Sequence, residues 1–237
     1  MNPDMATTYN CSEHGELLTG MRLARLAIGR GDLVVLPTDT VYGLAVDAFS
    51  PVAVQRLLDA KGRTRQSPPP VLIPGIPTLD ALVQSVPAEV RALVAAFWPG
   101  GLTIILPANP SLNWDIGETG GTVALRMPNN RIALELLSET GPLAVSSANL
   151  TGMSAARSVA DAERMLGESV EVYLDAGEVG GDYGADAALG STIVDATGLL
   201  RDGGSLKIVR YGVVSAAQID AVLANVTAAG DSAESKP

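Results

Sequence analysis

The chain has few of the side chains that usually carry nucleophilic or metal chemistry. Of its 237 residues, one is cysteine (Cys11) and one is histidine (His14). A disulfide within the chain is therefore impossible, and a structural Cys/His zinc site lacks its ligands. Both residues sit near the N-terminus, apart from the motifs described below, so the chemistry has to proceed without a Cys nucleophile or a Ser-His-Asp triad. Positive charge is also scarce: 16 Lys and Arg stand against 26 Asp and Glu, a formal net charge of −10. A surface of that sign repels nucleic acid as a whole, which weighs against a stable RNA-binding module but leaves room for a local basic patch. No apolar run is long enough to span a bilayer, and residues 1–16 contain no apolar core of a signal peptide. The expectation is a cytoplasmic protein without membrane contact. The Asn-x-Ser/Thr sequons at Asn10, Asn149 and Asn225 then read as chance occurrences.

What the chain does have is apolar content, 47% of residues, enough for a substantial core. Strand-like and helix-like segments alternate without a linker-like break, which predicts one α/β domain over residues 12–226, with flexible termini at 1–11 and 227–237. A helical face through Leu17, Met21, Ala24 and Ile28 ends near Gly29-Arg30-Gly31. Ser50-Pro51 predicts a capped helix through Val54, Leu57 and Leu58 that ends close to Lys61-Gly62. Pro68-Pro69-Pro70 enforces an extended entry into Val71-Leu72-Ile73, and Pro77 and Pro87 open two further helices. Strands are expected at 33–36, 103–106, 122–127, 143–146, 170–174, 191–194 and 206–209, and helices at 131–137 and 159–166. Ser215-Ala216-Ala217-Gln218 is a capping-box pattern before a last helix. Two long loops remain, 108–121 and the Gly- and acid-rich 177–190.

Several segments gather polar groups at strand ends, where ligands of open α/β sheets collect. The apolar run Leu33-Val34-Val35 leads into Leu36-Pro37-Thr38-Asp39-Thr40-Val41-Tyr42-Gly43-Leu44. Lys61, Arg63 and Arg65 form a basic island with no acidic residue between Asp59 and Asp80. The island reads as a phosphate clamp, or as solvated bases offsetting the C-terminal dipole of the preceding helix. Arg126 is the single charge in Val123-Ala124-Leu125-Arg126-Met127. On such a strand it needs a partner or a cleft, so it is either a carboxylate clamp or a structural salt bridge. The strand Leu143-Ala144-Val145 ends in Ser146-Ser147-Ala148-Asn149, a turn able to contact phosphate or merely to cap the strand. Ser191-Thr192-Ile193-Val194-Asp195 begins on a hydroxyl with the same two readings. Trp98-Pro99-Gly100-Gly101-Leu102-Thr103 reads as a structural turn. Neither a Walker A sequence nor a G-x-G-x-x-G is present, so a nucleotide has to bind by another geometry. Asp39 has no assigned role.

In this order, from about Gly31 to Gly212, these segments resemble the YrdC-like family of threonylcarbamoyl-AMP synthases. The resemblance implies a single-domain, twisted mixed β-sheet flanked by helices, with a concave ligand-binding surface. It implies synthesis of L-threonylcarbamoyl-AMP from L-threonine, bicarbonate or CO2 and ATP, with release of pyrophosphate, for N6-threonylcarbamoyladenosine at position 37 of tRNA. It carries over Lys61 and Arg63 as the catalytic cations that offset charge on the triphosphate. Lys61, Arg65, Thr122, Ser147, Asn149 and Arg210 are carried over as ATP contacts, and Thr38, Arg126, Val145 and Ser191 as threonine contacts. Mg2+ would bridge phosphate oxygens, with no metal-ligating residues expected from the protein. The product would pass to a threonylcarbamoyl transferase complex, and direct tRNA contact would be weak or absent.

The chain departs from the family pattern at four places. Gly101 stands where Pro-Gly-Pro is common, Ser146 where proline precedes the Ser-x-Asn turn, and Ser154-Ala155 where Pro-Ser follows it. Leu72 replaces a usual histidine or asparagine, which removes one polar contact to threonine. Because the activated product is labile, the 177–190 segment is the candidate for a loop that closes and excludes water. Two alternatives remain at this point. One is a non-catalytic module for double-stranded or ribosomal RNA. The other is a carbamoyl-adenylate enzyme of the hydrogenase-maturation type, which the single cysteine disfavours.

Overall fold

The computed structural model describes residues 7–201 and 203–234. Seven α-helices are present among them: α1 (His14–Arg30), α2 (Pro51–Ala60), α3 (Ile76–Leu82), α4 (Ala88–Phe97), α5 (Arg131–Thr140), α6 (Val159–Leu166) and α7 (Ala216–Glu234). Their starts are written in the sequence. The Ser50 hydroxyl accepts from the Ala53 N–H at 3.3 Å with Pro51 opening α2, and the Asn130 amide oxygen accepts from the Ala133 N–H at 3.1 Å. Each cap satisfies one of the N–H groups that a helix leaves without an internal partner. Ahead of α7 the capping box is reciprocal: Ser215 Oγ accepts from the Gln218 N–H, and Gln218 Oε1 accepts from the Ser215 N–H at 2.9 Å.

Ten strands form one mixed sheet: β1 (Thr7–Asn10), β2 (Val34–Leu36), β3 (Gly43–Asp47), β4 (Val71–Leu72), β5 (Leu102–Pro107), β6 (Thr122–Arg126), β7 (Leu143–Ser147), β8 (Val172–Asp175), β9 (Thr192–Asp195) and β10 (Lys207–Arg210). Their spatial order is β1-β8-β2-β3-β7-β4-β6-β5-β9-β10. Two strands differ from the sequence expectation. β3 lies at the centre, antiparallel to both β2 and β7. Its Gly43 reads locally as the end of a turn, and pairing on both sides rather than propensity makes it a strand. β1 lies within the stretch expected to be a flexible terminus, yet it pairs parallel to β8 as an edge strand. Similarly, α7 continues past residue 226 to Glu234. Residues 1–6 and 235–237, also expected to be flexible, lie outside the described residues. The 177–190 loop contains a 3-10 segment, Gly181–Leu189.

Alternation along the strands sorts side chains to two faces. Leu33, Val35, Leu44, Val46, Val71, Ala144, Leu102, Ile104, Leu106, Val123 and Leu125 belong to the larger core, which α2, α3, α4 and α6 cover. Val34, Leu36, Ala45, Leu72, Leu143 and Val145 face the opposite way and meet α1 and α5 in a smaller core. The fold is thus a sheet between two helical layers, the second of which reaches only part of its face.

Leu57 sits fully buried in the larger core. Replacing it with alanine removes packed methyl groups and leaves a cavity, so Leu57→Ala is expected to lower stability by about 2–5 kcal/mol. Urea unfolding should show the midpoint falling with an unchanged slope.

Candidate active site

Beyond the reach of α1 and α5, loops flank the same sheet face, and Ile116, Glu118, Thr119 and Leu189 come from them. There the alternate residues of β4, β6, β5, β9 and β10 line a cavity of about 540 Å³. Leu72, Thr122, Ala124, Arg126, Thr103, Ile105, Ile193 and Val209 all border it. A register shift between Ile208 and Arg210 in the β9–β10 pair bulges the edge strand, and both Val209 and Arg210 reach the cavity as a result. The other rim comes from Thr38, Thr40, Gly43, Val145, Ser146 and Ser147. Gly43 is needed for close approach: a Cβ there would stand 2.6 Å from Val145 Cγ1, a methyl group of the cavity wall.

Arg126 lies at one end, buried, with its guanidinium held from three sides. Nε donates to the Gly100 carbonyl at 2.8 Å, one terminal nitrogen to Thr40 Oγ1 at 3.1 Å and the other to Asp39 Oδ1 at 2.6 Å. An arginine has five N–H donors, so two remain for a ligand. Thr38 borders the cavity, but its hydroxyl is already engaged. It accepts from the N–H groups of Thr40 and Val41 and donates to the Val41 carbonyl at 2.6 Å. It therefore caps the strand end while presenting the rest of its side chain. Asp39, left without a role by the sequence, is the buried counter-ion of Arg126. The signal was present: a lone charge on an apolar strand demands a partner, and Asp39 is the one acid in its motif.

On the neighbouring strands, where the β5–β6 register sets Thr103 beside Arg126, Arg210 donates to the Ser191 carbonyl at 2.6 Å and to Ser191 Oγ at 2.9 Å, and that hydroxyl pairs with Thr103 Oγ1 at 2.7 Å. Arg63 donates to Ser146 Oγ at 3.0 Å and to Thr151 Oγ1 at 3.3 Å. Among the described residues neither arginine is within ion-pair distance of a carboxylate, and Glu118 is the only acid on the cavity wall. Burial lowers the affinity of the Arg210 guanidinium for its proton, and the charges of Arg126 and Arg63 push it the same way. Like charges crowded around a half-enclosed space are relieved by an anion. Thr122, Ser147 and Val145 also line the cavity.

Three expected contacts are placed differently. Lys61 does not line the cavity. Its ammonium is buried under the Ser-x-Asn turn, where it donates to the Ser147 carbonyl, to the Asn149 carbonyl at 2.6 Å and to Asn149 Oδ1 at 3.3 Å. Asn149 is therefore committed to Lys61 and, through its amide nitrogen, to the Leu150 and Met153 carbonyls at 2.9 and 2.7 Å. Arg65 pairs with Asp115 of the 108–121 loop at 2.5 Å and lies outside the cavity wall, because that loop brings a carboxylate within its reach. Among the described residues no group of three or more His, Cys, Asp or Glu is arranged to hold a metal ion, and no helix is long and apolar enough to cross a membrane.

The ordered motifs, the sheet and the arginine-lined cavity agree with what sequence and structure comparison finds. The Sua5/YciO/YrdC family model, described as telomere recombination, matches residues 26–212. The chain belongs to this family. A Mycobacterium leprae protein provisionally named a threonylcarbamoyl-AMP synthase is 46% identical over 224 residues, covering 94% of this chain and 97% of that protein. The Pyrococcus abyssi threonylcarbamoyl-AMP synthase is 38% identical over 192 residues, 78% of this chain and 54% of its own length. Among solved structures, P. abyssi Sua5 complexed with L-threonine superposes with a TM-score of 0.78 at 32% identity, covering 92% of this chain and 60% of that one. E. coli YciO, at 21% identity and a TM-score of 0.74, shares the fold. The chain thus spans nearly the whole mycobacterial relative and a little over half of the P. abyssi protein.

Within this Sua5/YciO/YrdC site, Leu72 pairs with Arg126 in the β4–β6 register and makes the neighbouring wall apolar. Lys61 is a buried cation under electrostatic tension. Burial first, and then the charge of Arg63, push its ammonium from 10.5 down to about 7. The folded pKa lies below that of the unfolded chain, so between about pH 7 and 10.5 the unfolded state holds more protons and stability rises with pH. Unfolding measured at pH 7 and at pH 9.5 should show this gain in the wild type. A Lys61→Met variant, which has no charge to bury, should lack that component.

Proposed function

We propose that the chain is an L-threonylcarbamoyladenylate synthase, combining L-threonine, bicarbonate or CO2 and ATP and releasing pyrophosphate. The observation that carries this reading is the set of three arginines on one cavity wall, of which, among the described residues, only Arg126 has an internal counter-ion. Arg126 takes the amino-acid carboxylate on its two unused N–H groups. Ser191 and Thr103 offer hydroxyls to the amine and β-hydroxyl, while Leu72 and Val145 pack against the methyl group. Arg63 and Arg210 offset the charge of the triphosphate, with Ser147 and Thr122 beside it. Lys61 acts from beneath by holding the Ser147–Asn149 turn in shape. Mg2+ suits this site as a companion of the phosphates, since a wall with one carboxylate, Glu118, offers no protein cage.

The unprotonated threonine amine adds to CO2 and loses a proton to solvent, giving an N-carboxylate. One of its oxygens then forms the bond to the α-phosphorus as the bond to pyrophosphate breaks. Such a displacement needs alignment of two anions and neutralisation of developing charge, not a protein nucleophile. That requirement matches a site rich in arginine and hydroxyl groups and free of cysteine and histidine. The product is consumed by a transferase complex that modifies adenosine 37 of tRNA, and the protein's net charge of −10 leaves RNA handling to that partner. The place of work is the cytoplasm.

Incubation with ATP, Mg2+, bicarbonate and each amino acid in turn should release pyrophosphate with threonine and give a carbamoyl-adenylate of matching mass. Turnover with another amino acid changes the substrate, and no turnover favours a binding module. In the same assay Arg126→Ala is expected to raise the KM for threonine roughly 10- to 100-fold, the worth of a charge-assisted contact. Lys61→Ala should act mainly on kcat. Wild-type kinetics in both variants would sink the site assignment.

A further inference from the structure

The 177–190 segment is tied to the Arg126 end of the cavity. At its start the Tyr42 hydroxyl donates to the Gly177 carbonyl at 2.7 Å and accepts from the Ala176 N–H at 3.0 Å. At its end Leu189 and Gly190 border the cavity, and the Gly190 carbonyl accepts from the Val213 N–H at 3.1 Å. In between, the Tyr183 hydroxyl donates to Asp39 Oδ2 at 3.2 Å. Asp39 is thereby shared. Its Oδ1 accepts from Arg126 and from the Asn129 N–H at 2.9 Å, and its Oδ2 accepts from Tyr183. Neither Asp39 nor Tyr183 lines the cavity, so both stand behind the arginine. Burial, with the Asp39 charge adding to it, pushes the Tyr183 hydroxyl up to about 12, so it remains a neutral donor at physiological pH.

The Gly100-Gly101 turn makes room for this arrangement. Gly100 supplies the carbonyl that accepts from Arg126 Nε. A Cβ on Gly101 would stand 3.2 Å from Tyr183 Oη and 2.1 Å from Val213 Cγ2. Glycine at 101, one of this chain's departures from Pro-Gly-Pro, therefore goes together with a tyrosine hydroxyl brought up against the turn.

We propose that Tyr183 is a positioning residue acting through Asp39. It latches the 177–190 segment to the counter-ion of Arg126, so that binding of an amino-acid carboxylate and closure of the segment are coupled. The coupling rests on the reading that Arg126 holds the substrate carboxylate. The latch itself does not, because its contacts are within the protein. A carboxylate that fixes both the arginine and the segment transmits order either way, and such coupling is reciprocal.

The test uses Tyr183→Phe, Asp39→Asn and the double variant in two measurements. The first is hydrogen exchange of amides 177–190 without ligand. Loss of the hydroxyl should speed exchange roughly tenfold, the scale of one hydrogen bond to a charged group. Asp39→Asn should do the same, and the double variant no more. Unchanged exchange in Tyr183→Phe, or additive effects in the double variant, overturns the latch. The second measurement is steady-state kinetics. The KM for L-threonine should rise several-fold in Tyr183→Phe, with the KM for ATP unmoved and kcat changing less than the threonine KM. Faster exchange with an unchanged threonine KM overturns the coupling. Absence of threonine-dependent pyrophosphate release in the wild type defeats the functional reading instead, and exchange still decides the latch.

Discussion

The ion pair between Arg126 and Asp39, with side chains 7% and 1% exposed, sets the geometry of the cavity. Removing two charges from water costs several kcal/mol each, and their attraction offsets that only when the remaining donors and acceptors are also satisfied. Here they are. Asp39 has three donors on two oxygens, and Arg126 has acceptors on three of its nitrogens. The price of this burial is repaid in orientation: the pair joins β6 to the 37–43 motif, to the Gly100 turn and to the 177–190 segment. Each of these contributes to the cavity or borders a residue that does. A guanidinium so fixed points its unused N–H groups into the cavity without the rotamer entropy that a free arginine would lose on binding.

The second constraint is the incomplete cover on one face of the sheet. Ten strands present more surface than α1 and α5 can shield, and the exposed half carries Thr103, Thr122, Arg126 and Ser191 where the covered half carries Val34, Ala45 and Leu143. The opposite face carries the larger apolar core. Alternation therefore does two jobs on the same strands: odd positions of β5 meet the ligand space while even positions hold the core. Arg63 and Arg210, facing one acid on the wall, make a locally positive region in a protein of net charge −10. A low-dielectric wall strengthens that field at short range, which suits an anion.

The helices and most strands were legible, because their signals are local. Ser50-Pro51, Pro77 and Ser215-Gln218 are caps or openings that act within one turn, and 159–166 forms a helix at the bounds expected. β3 was missed because Gly43 and the small residues around it carry weak propensity, and its pairing with β2 and β7 is non-local. β1 was missed because an exposed edge strand has no burial pattern to read. Among the site residues, those on strands or in strand-end turns, such as Arg126, Ser147 and Ser191, fell on the cavity. Arg65 did not, since its partner Asp115 comes from a loop whose path no local rule predicts. Lys61 reaches into the turn at Ser147 and Asn149 rather than into the open cavity, a choice made by burial.

The sequence by itself determined the family, the class of fold, the scarcity of cysteine and histidine, and the residue types that can meet an anionic substrate. Those follow from composition, periodicity and ordered motifs, which survive without coordinates. Only the tertiary structure decided which charges are free and which are spent. Asp39 neutralises Arg126, Asp115 takes Arg65, and the backbone carbonyls of Ser147 and Asn149 enclose Lys61, while Arg63 and Arg210 border the cavity with no ion-pair partner among the described residues. The reason is physical: a side chain's charge is known from its identity, but its partner is chosen by which distant strand or loop the fold brings within about 3 Å.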